Sequence, residues 1–261
     1  MVVSELTPHG FCAGVIGAIK KAAELKKAYC LHELVHNELV VNKLKAQGFQ
    51  FVEDLNEVPV GSTVLFSAHG VSPKVRELAA DRKLKVVDAT CPFVQRVHND
   101  AKRFSDEGRF VVVIGKADHA EVKGILGEIA RGGVYPCECP KDIAVVSQTT
   151  MNSDKVAAII EELKKTHNVT TQASVCNATK LRQDAVRNFK GDALLVLGSA
   201  SSSNTRELCE VFQGKTFRAA TLDEVKALDF SGINNLGVTS GASTPEDFYE
   251  ATISYLRTTF C

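Results

Sequence analysis

No apolar run in the chain approaches the ~18 residues that a membrane-spanning helix requires, so no bilayer span is expected. Neither sign of charge is in surplus: 31 Lys and Arg stand against 31 Asp and Glu. Without a basic surplus or stripe, a nucleic-acid footprint is not expected either. The opening Met1-Val2-Val3-Ser4-Glu5-Leu6 lacks the basic region and cleavage site of a secretory signal. It reads as a strand entering the fold directly, and a cytoplasmic protein is expected. The eight cysteines include no C-x-x-C pair, the spacing on which structural zinc sites are often built. Without export, disulfides do not persist. Metal binding or catalysis is therefore the expected use of some of these thiols, and the rest pack as small hydrophobes.

What the 261 residues do contain is an alternation, with chain enough to bury a sizeable core. Thr63–Phe66, Phe110–Ile114, Ile143–Val146, Ala193–Leu197 and Leu236–Thr239 are mostly apolar runs, rich in β-branched residues and bounded by polar turns. Such runs suit strands of parallel sheets buried on both faces. Amphipathic segments such as Val156–Lys165 and Thr244–Arg257 lie between them, which gives an α/β class.

The alternation repeats three times. Gly10-Phe11-Cys12-Ala13, Ala89-Thr90-Cys91-Pro92 and Ser174-Val175-Cys176-Asn177 each set a cysteine before a helical pattern, and the cysteines are 79 and 85 positions apart. Pro92 fits a first helical turn. His36, His119 and Ser202 follow their cysteines by 24, 28 and 26 positions, and His69, Thr149 and Ser243 by 57, 58 and 67. Helices are expected to open after the later loops at Ser72, at Asn152 or Ser153, and at Thr244. The chain thus reads as three similar lobes, residues 1–91, 92–175 and 176–261. Ligands in such sheets bind beyond the carboxyl ends of the strands. If the lobes pack about a pseudo-threefold axis, the cysteines meet at its centre inside a ring of polar loops.

Three thiolates from separate lobes could hold zinc or an iron–sulfur cluster. A cubane on three cysteines leaves one iron open to act as a Lewis acid and permits one-electron chemistry. The ring of His36, His69, His119, Thr149, Ser202, Ser203, Asn204 and Ser243 is rich in donors for phosphate oxygens. Glu121, two positions after His119, is either a desolvated proton donor or a first-turn acid favoured by the helix dipole. Cys137 and Cys139, in Tyr135-Pro136-Cys137-Glu138-Cys139-Pro140, read as a surface turn rather than a metal clip. His9, His32, His98 and His167 receive no role.

Several segments resemble the 4-hydroxy-3-methylbut-2-enyl diphosphate reductases, the IspH or LytB family. They are Gly10–Val15, His32–Asn37, Phe66–Ser72, Asp88–Pro92, His119–Val122, Gln148–Thr150, Cys176–Thr179, Ser202–Asn204 and Gly241–Ser243, in that order along the chain. The resemblance implies three α/β lobes in a pseudo-threefold arrangement around a central [4Fe–4S] cluster, which becomes [3Fe–4S] when the open iron is lost. It implies the last step of the non-mevalonate pathway, in which an allylic alcohol diphosphate loses its hydroxyl with two electrons and two protons. Isopentenyl and dimethylallyl diphosphate result. Cys12, Cys91 and Cys176 match the cluster ligands and Glu121 the proton donor. Thr149 matches the residue that holds the hydroxyl and relays protons, and His119 one that serves both diphosphate and proton delivery. His36, His69, Ser202, Ser203, Asn204 and Ser243 match diphosphate binders. Ferredoxin or flavodoxin with its reductase is the implied electron donor, and a monomer or weak homodimer the expected state. The sequence departs from the pattern at His9, where Arg is common, and at Ala120, where Pro is common. It also ends at Cys261 without the longer tail of some members.

Overall fold

The structure is a computed structural model that describes residues 1–172 and 174–260. Strand β1 (Val2–Glu5) comes first. Strands β2 (Tyr29–Leu31), β3 (Gln50–Val52), β4 (Thr63–Phe66) and β5 (Lys85–Asp88) form one parallel sheet in the order β3-β2-β4-β5. Strands β6 (Phe110–Ile114), β7 (Gly132–Val134), β8 (Asp142–Ser147) and β9 (Asn168–Thr171) form a second, ordered β7-β6-β8-β9. Strands β10 (Ala193–Leu197), β11 (Lys215–Ala219) and β12 (Asn235–Ser240) complete a third.

In the third sheet the fourth place is taken by the first strand of the chain. Its order is β11-β10-β12-β1, and β1 lies parallel to β12 with Val2 opposite Asn235. The strand at the head of the 1–91 segment therefore joins the sheet built from the end of the sequence. With that substitution all three sheets share one topology. In each, the chain reverses its direction of winding between the first and third strands of the set, which opens a crevice at their carboxyl ends.

The apolar runs form strands because both faces are covered. In β10, Leu195 and Leu197 pack with Phe248, Tyr249 and Ile253 on one side, while Leu194 and Val196 pack with Val186 and Leu208 on the other. Strand β6 divides likewise, with Val111 and Val113 in one core and Val112 and Ile114 in another. The helices that carry these cores and the site are α1 (Ala13–Ala23), α2 (Glu38–Ala46), α3 (Pro73–Asp81), α4 (Pro92–Asp106), α5 (Ala120–Gly127), α6 (Ser153–Lys164), α7 (Asn177–Asn188), α8 (Ser203–Val211), α9 (Leu222–Lys226) and α10 (Glu246–Phe260). Helix α10 starts two residues later than the expected cap at Thr244, which instead donates its hydroxyl to Leu197 O (2.8 Å). Among the described residues no helix is long and apolar enough to cross a membrane.

Two compact units divide the chain: Met1–Ala13 with His36–Val40 and Asn177 onward, and Gly14–Val35 with Val41–Cys176. Within the second unit α5 lies close against the turn that opens α3. A Cβ on Gly127 would stand 2.3 Å from Ser72 Cβ, so only glycine allows this approach. His98 of α4 is buried there and pairs with Glu128 at 3.0 Å.

Candidate functional site

The polar residues singled out above follow the two strands that flank each reversal. His36, His119 and Ser202 come five positions after Leu31, Ile114 and Leu197, the last residues of β2, β6 and β10. His69, Thr149 and Ser243 come two or three positions after the last residues of β4, β8 and β12.

The cysteines follow the fourth strand of each sheet. Each backbone N–H is bonded to a carbonyl in the loop after the third strand: Cys12 to Ala242 (3.0 Å), Cys91 to Ala68 (3.0 Å) and Cys176 to Thr149 (3.1 Å). All three side chains are half-buried. A cysteine is thus fixed by the polar loop that precedes it in its sheet, whereas the sequence reading paired it with the loops that follow. In the third sheet the preceding loop lies at the far end of the chain.

In the second unit the sheet β6–β9 assembles a buried acid. His119 caps α5, and its Nδ1 accepts from Glu121 N at 3.2 Å, which leaves the proton of the neutral ring on Nε2. Glu121 is 1% exposed. Its Oε1 accepts from Thr149 N (2.7 Å) and its Oε2 meets Thr149 Oγ1 (3.1 Å). Burial pushes the Glu121 carboxyl up to about 7, against the pull of these two hydrogen bonds. A hydroxyl both donates and accepts, so the Thr149–Glu121 contact can pass a proton either way. The His69 ring meets that of His119 edge-on, with centroids 5.4 Å apart. Ser67 Oγ lies 3.3 Å from His69 Nδ1.

In the first unit the buried N-terminus of α8 faces the loop after β12. Ser202 Oγ caps the helix through Thr205 N (3.3 Å), and Asn204 Oδ1 accepts from Ala242 N (3.0 Å). Ser203 Oγ is buried with no hydrogen-bond partner among the described residues. Ser243 Oγ donates to His36 O at 3.0 Å.

Three positioning residues were not foreseen. Arg182 of α7, 2% exposed, donates to the carbonyls of Gly10 (2.7 Å), His9 (3.4 Å) and Ala178 (3.0 Å). It holds the turn ahead of Cys12 from a distance of 172 residues, which no local pattern announces. Ser240 accepts from Gly10 N (2.8 Å) in the same turn, and Thr179 receives the Asn204 amide (3.4 Å). Arg182→Met strands buried carbonyls and is expected to lower stability by about 3 kcal/mol, read as a shift in the urea midpoint.

The two departures from the family pattern have local explanations. His9 stacks on Tyr249 with centroids 3.8 Å apart and pairs with Glu246 at 3.0 Å. Ala120 is the first residue of α5, and the backbone of His119 before it is extended (φ −70°, ψ 137°), a conformation that proline tolerates in its predecessor. Ala120→Pro should therefore raise the melting temperature, with a gain of roughly 0.5 kcal/mol.

Comparison with known proteins gives one family. The family model described as LytB protein matches residues 3–257. A 4-hydroxy-3-methylbut-2-enyl diphosphate reductase of Aeromonas hydrophila is 43% identical over 96% of this chain and 89% of its own length. The enzyme of that name from Dechloromonas aromatica is 41% identical, with the same coverage. The solved E-1-hydroxy-2-methyl-but-2-enyl-4-diphosphate reductase of Plasmodium falciparum superposes with a TM-score of 0.93 at 33% identity, covering 99% of this chain and 89% of that one. A second solved reductase, described as the terminal enzyme of the non-mevalonate pathway, gives 0.70 at 32% identity, covering 99% of this chain and 100% of that one.

Proposed function

The chain belongs to the LytB family, and from that membership we propose how its residues share the work of a 4-hydroxy-3-methylbut-2-enyl diphosphate reductase, the oxidoreductase activity its relatives are named for. The observation that carries the reading is the buried Glu121–Thr149 pair at the carboxyl ends of β6 and β8.

The donor set fits an iron–sulfur centre. Three half-buried thiols recur at equivalent ends of three sheets, and soft thiolates suit iron–sulfur clusters. No fourth thiol recurs at an equivalent place among the described residues. A cluster on Cys12, Cys91 and Cys176, [4Fe–4S] when complete and [3Fe–4S] after loss of the iron lacking a thiolate, supplies electrons singly and Lewis acidity toward the departing hydroxyl.

The chain's own residues do the rest. Imidazoles of His36, His69 and His119 and the side chains of Ser202, Ser203, Asn204 and Ser243 hold the diphosphate. Ser203 Oγ, buried and without a partner among the described residues, suits a phosphate oxygen. Thr149 Oγ1 orients the substrate hydroxyl and relays a proton from Glu121, whose neutral form at pH near 7 follows from its burial. Two electrons and two protons convert the allylic alcohol to an alkene, isopentenyl or dimethylallyl diphosphate, and water. The electrons come from a small redox protein, a ferredoxin or flavodoxin.

Protein purified without oxygen tests this reading through its visible spectrum, its iron and sulfide content, and the oxidation of a reduced dye on addition of substrate. Broad absorbance near ~400 nm with about four irons per chain is expected, together with substrate-dependent dye oxidation. A colourless, zinc-loaded protein without that oxidation would overturn it.

A further inference from the structure

Sheet β6–β9 carries a second cluster of reactive groups at its other end. His119 and Thr149 follow the carboxyl ends of its strands, whereas Cys139 precedes Asp142, the first residue of β8, and His167 precedes Asn168, the first of β9. A six-residue strand separates the two ends by roughly 20 Å. Cys139 Sγ lies 3.3 Å from His167 Nε2, and both side chains are half-buried. The Cys137–Cys139 segment lies at the surface, with Pro136, Glu138 and Pro140 exposed, while its two thiols turn onto the core that contains Ile143 and Val145.

The other face of the imidazole sets its tautomer. His167 Nδ1 lies 2.8 Å from Thr166 Oγ1 and 3.3 Å from Leu163 O. A carbonyl only accepts, so the tautomer that satisfies both contacts carries its proton on Nδ1 and turns the Nε2 lone pair toward the thiol. A nucleophile, a base within reach and a third group that orients the base are the parts of an activated nucleophile.

We propose that Cys139 is a reactive thiol, with His167 as its base, that exchanges with low-molecular-weight disulfides at the end of the sheet away from the reductase site. His167 Nε2 takes the thiol proton. The bond between Cys139 Sγ and one disulfide sulfur forms as the S–S bond of that disulfide breaks. The departing thiolate takes the proton back from the imidazolium and leaves as a thiol. One disulfide replaces another, with no net oxidation. The other described cysteines outside the proposed cluster are poorly placed to compete. Burial pushes the Cys30 thiol up to about 12 and the Cys209 thiol up to about 11. Burial and then the charge of Cys139 raise that of Cys137.

The test treats anaerobically purified holoprotein with oxidised glutathione, quenches at intervals and maps the mixed disulfides by peptide mass spectrometry. Cys139 should react at least roughly tenfold faster than Cys30, Cys137 or Cys209. His167→Gln, which keeps a polar side chain but removes the base, should slow Cys139 by about the same factor and leave the other rates unchanged. A Cys139 rate in the wild type no greater than that of Cys137 would overturn the proposal, and so would an undiminished rate in folded His167→Gln. The wild-type comparison decides the matter even where the variant does not fold.

Discussion

Glu121→Gln is expected to slow turnover by roughly 10²–10⁴-fold, the usual contribution of a positioned proton donor, while substrate binding persists. The amide keeps the shape of the site. Its oxygen can still accept from Thr149 N and its NH2 can donate to Thr149 Oγ1, the two contacts that now anchor the carboxyl. Only the transferable proton is lost. The wild-type rate should fall as pH rises through about 7, where Glu121 ionises, and that limb should vanish in the variant. Stability also falls as pH rises, over a lower range. An unfolded Glu releases its proton near ~4.3, whereas the folded one holds it to about 7. Between these values the native state binds more protons, so its stability declines as pH rises. Gln carries no charge to bury, and the variant should be more stable than the wild type at pH 8 by up to roughly 3 kcal/mol, with the advantage disappearing near pH 4. Turnover close to normal, or a wild-type rate flat from pH 6 to 8, would remove Glu121 from proton transfer.

Cys91→Ser should yield a folded, nearly colourless protein whose activity is lost by more than the roughly 10–100-fold that follows removal of an outer partner of a metal ligand. The fold should survive because Cys91 is the cap of α4. Its backbone is extended (φ −60°, ψ 134°) and its side chain makes no cap hydrogen bond. Serine is among the preferred residues at such a position. The substitution replaces a soft thiolate by a hydroxyl without disturbing the backbone bond to Ala68 O. Circular dichroism would show the helix content unchanged, and iron and sulfide analysis would show the loss. A full complement of iron with full turnover would take Cys91 out of the ligand set.

Legibility in the sequence followed burial. The runs Thr63–Phe66, Phe110–Ile114 and Ala193–Leu197 coincide with β4, β6 and β10, where almost every side chain is buried and all but Thr63 are apolar. Strands β7 and β11 escaped notice: β7 is three residues long and half-exposed, and β11 alternates Lys, Thr and Arg with its few apolar residues. The polar residues after β2, β4, β6, β8, β10 and β12 were legible because they recur at matched offsets. The state of Glu121 was not. A carboxylate two residues into a helix reads equally well as a solvated first-turn acid, and only the covering structure makes it 1% exposed. Arg182 and the β1–β12 pairing were invisible for a different reason. Their partners lie at the opposite end of the chain, beyond the reach of any periodicity.

That pairing has a consequence for the order of assembly. Strands β2–β9 find all their neighbours within short stretches of chain, so their two sheets can form while the polypeptide is still being made. Strand β1 emerges ahead of the other strands and waits longest. Its partner β12 begins at Asn235, and closing so long a loop is entropically dearer than closing one of about 20 residues by roughly 2 kcal/mol. The turn ahead of Cys12 depends on the same late arrival, through Arg182, Ser240 and Ala242. Of the three cysteines, Cys12 leaves the ribosome ahead of the others yet is the last to be fixed in place, so the cluster proposed on them would be completed late.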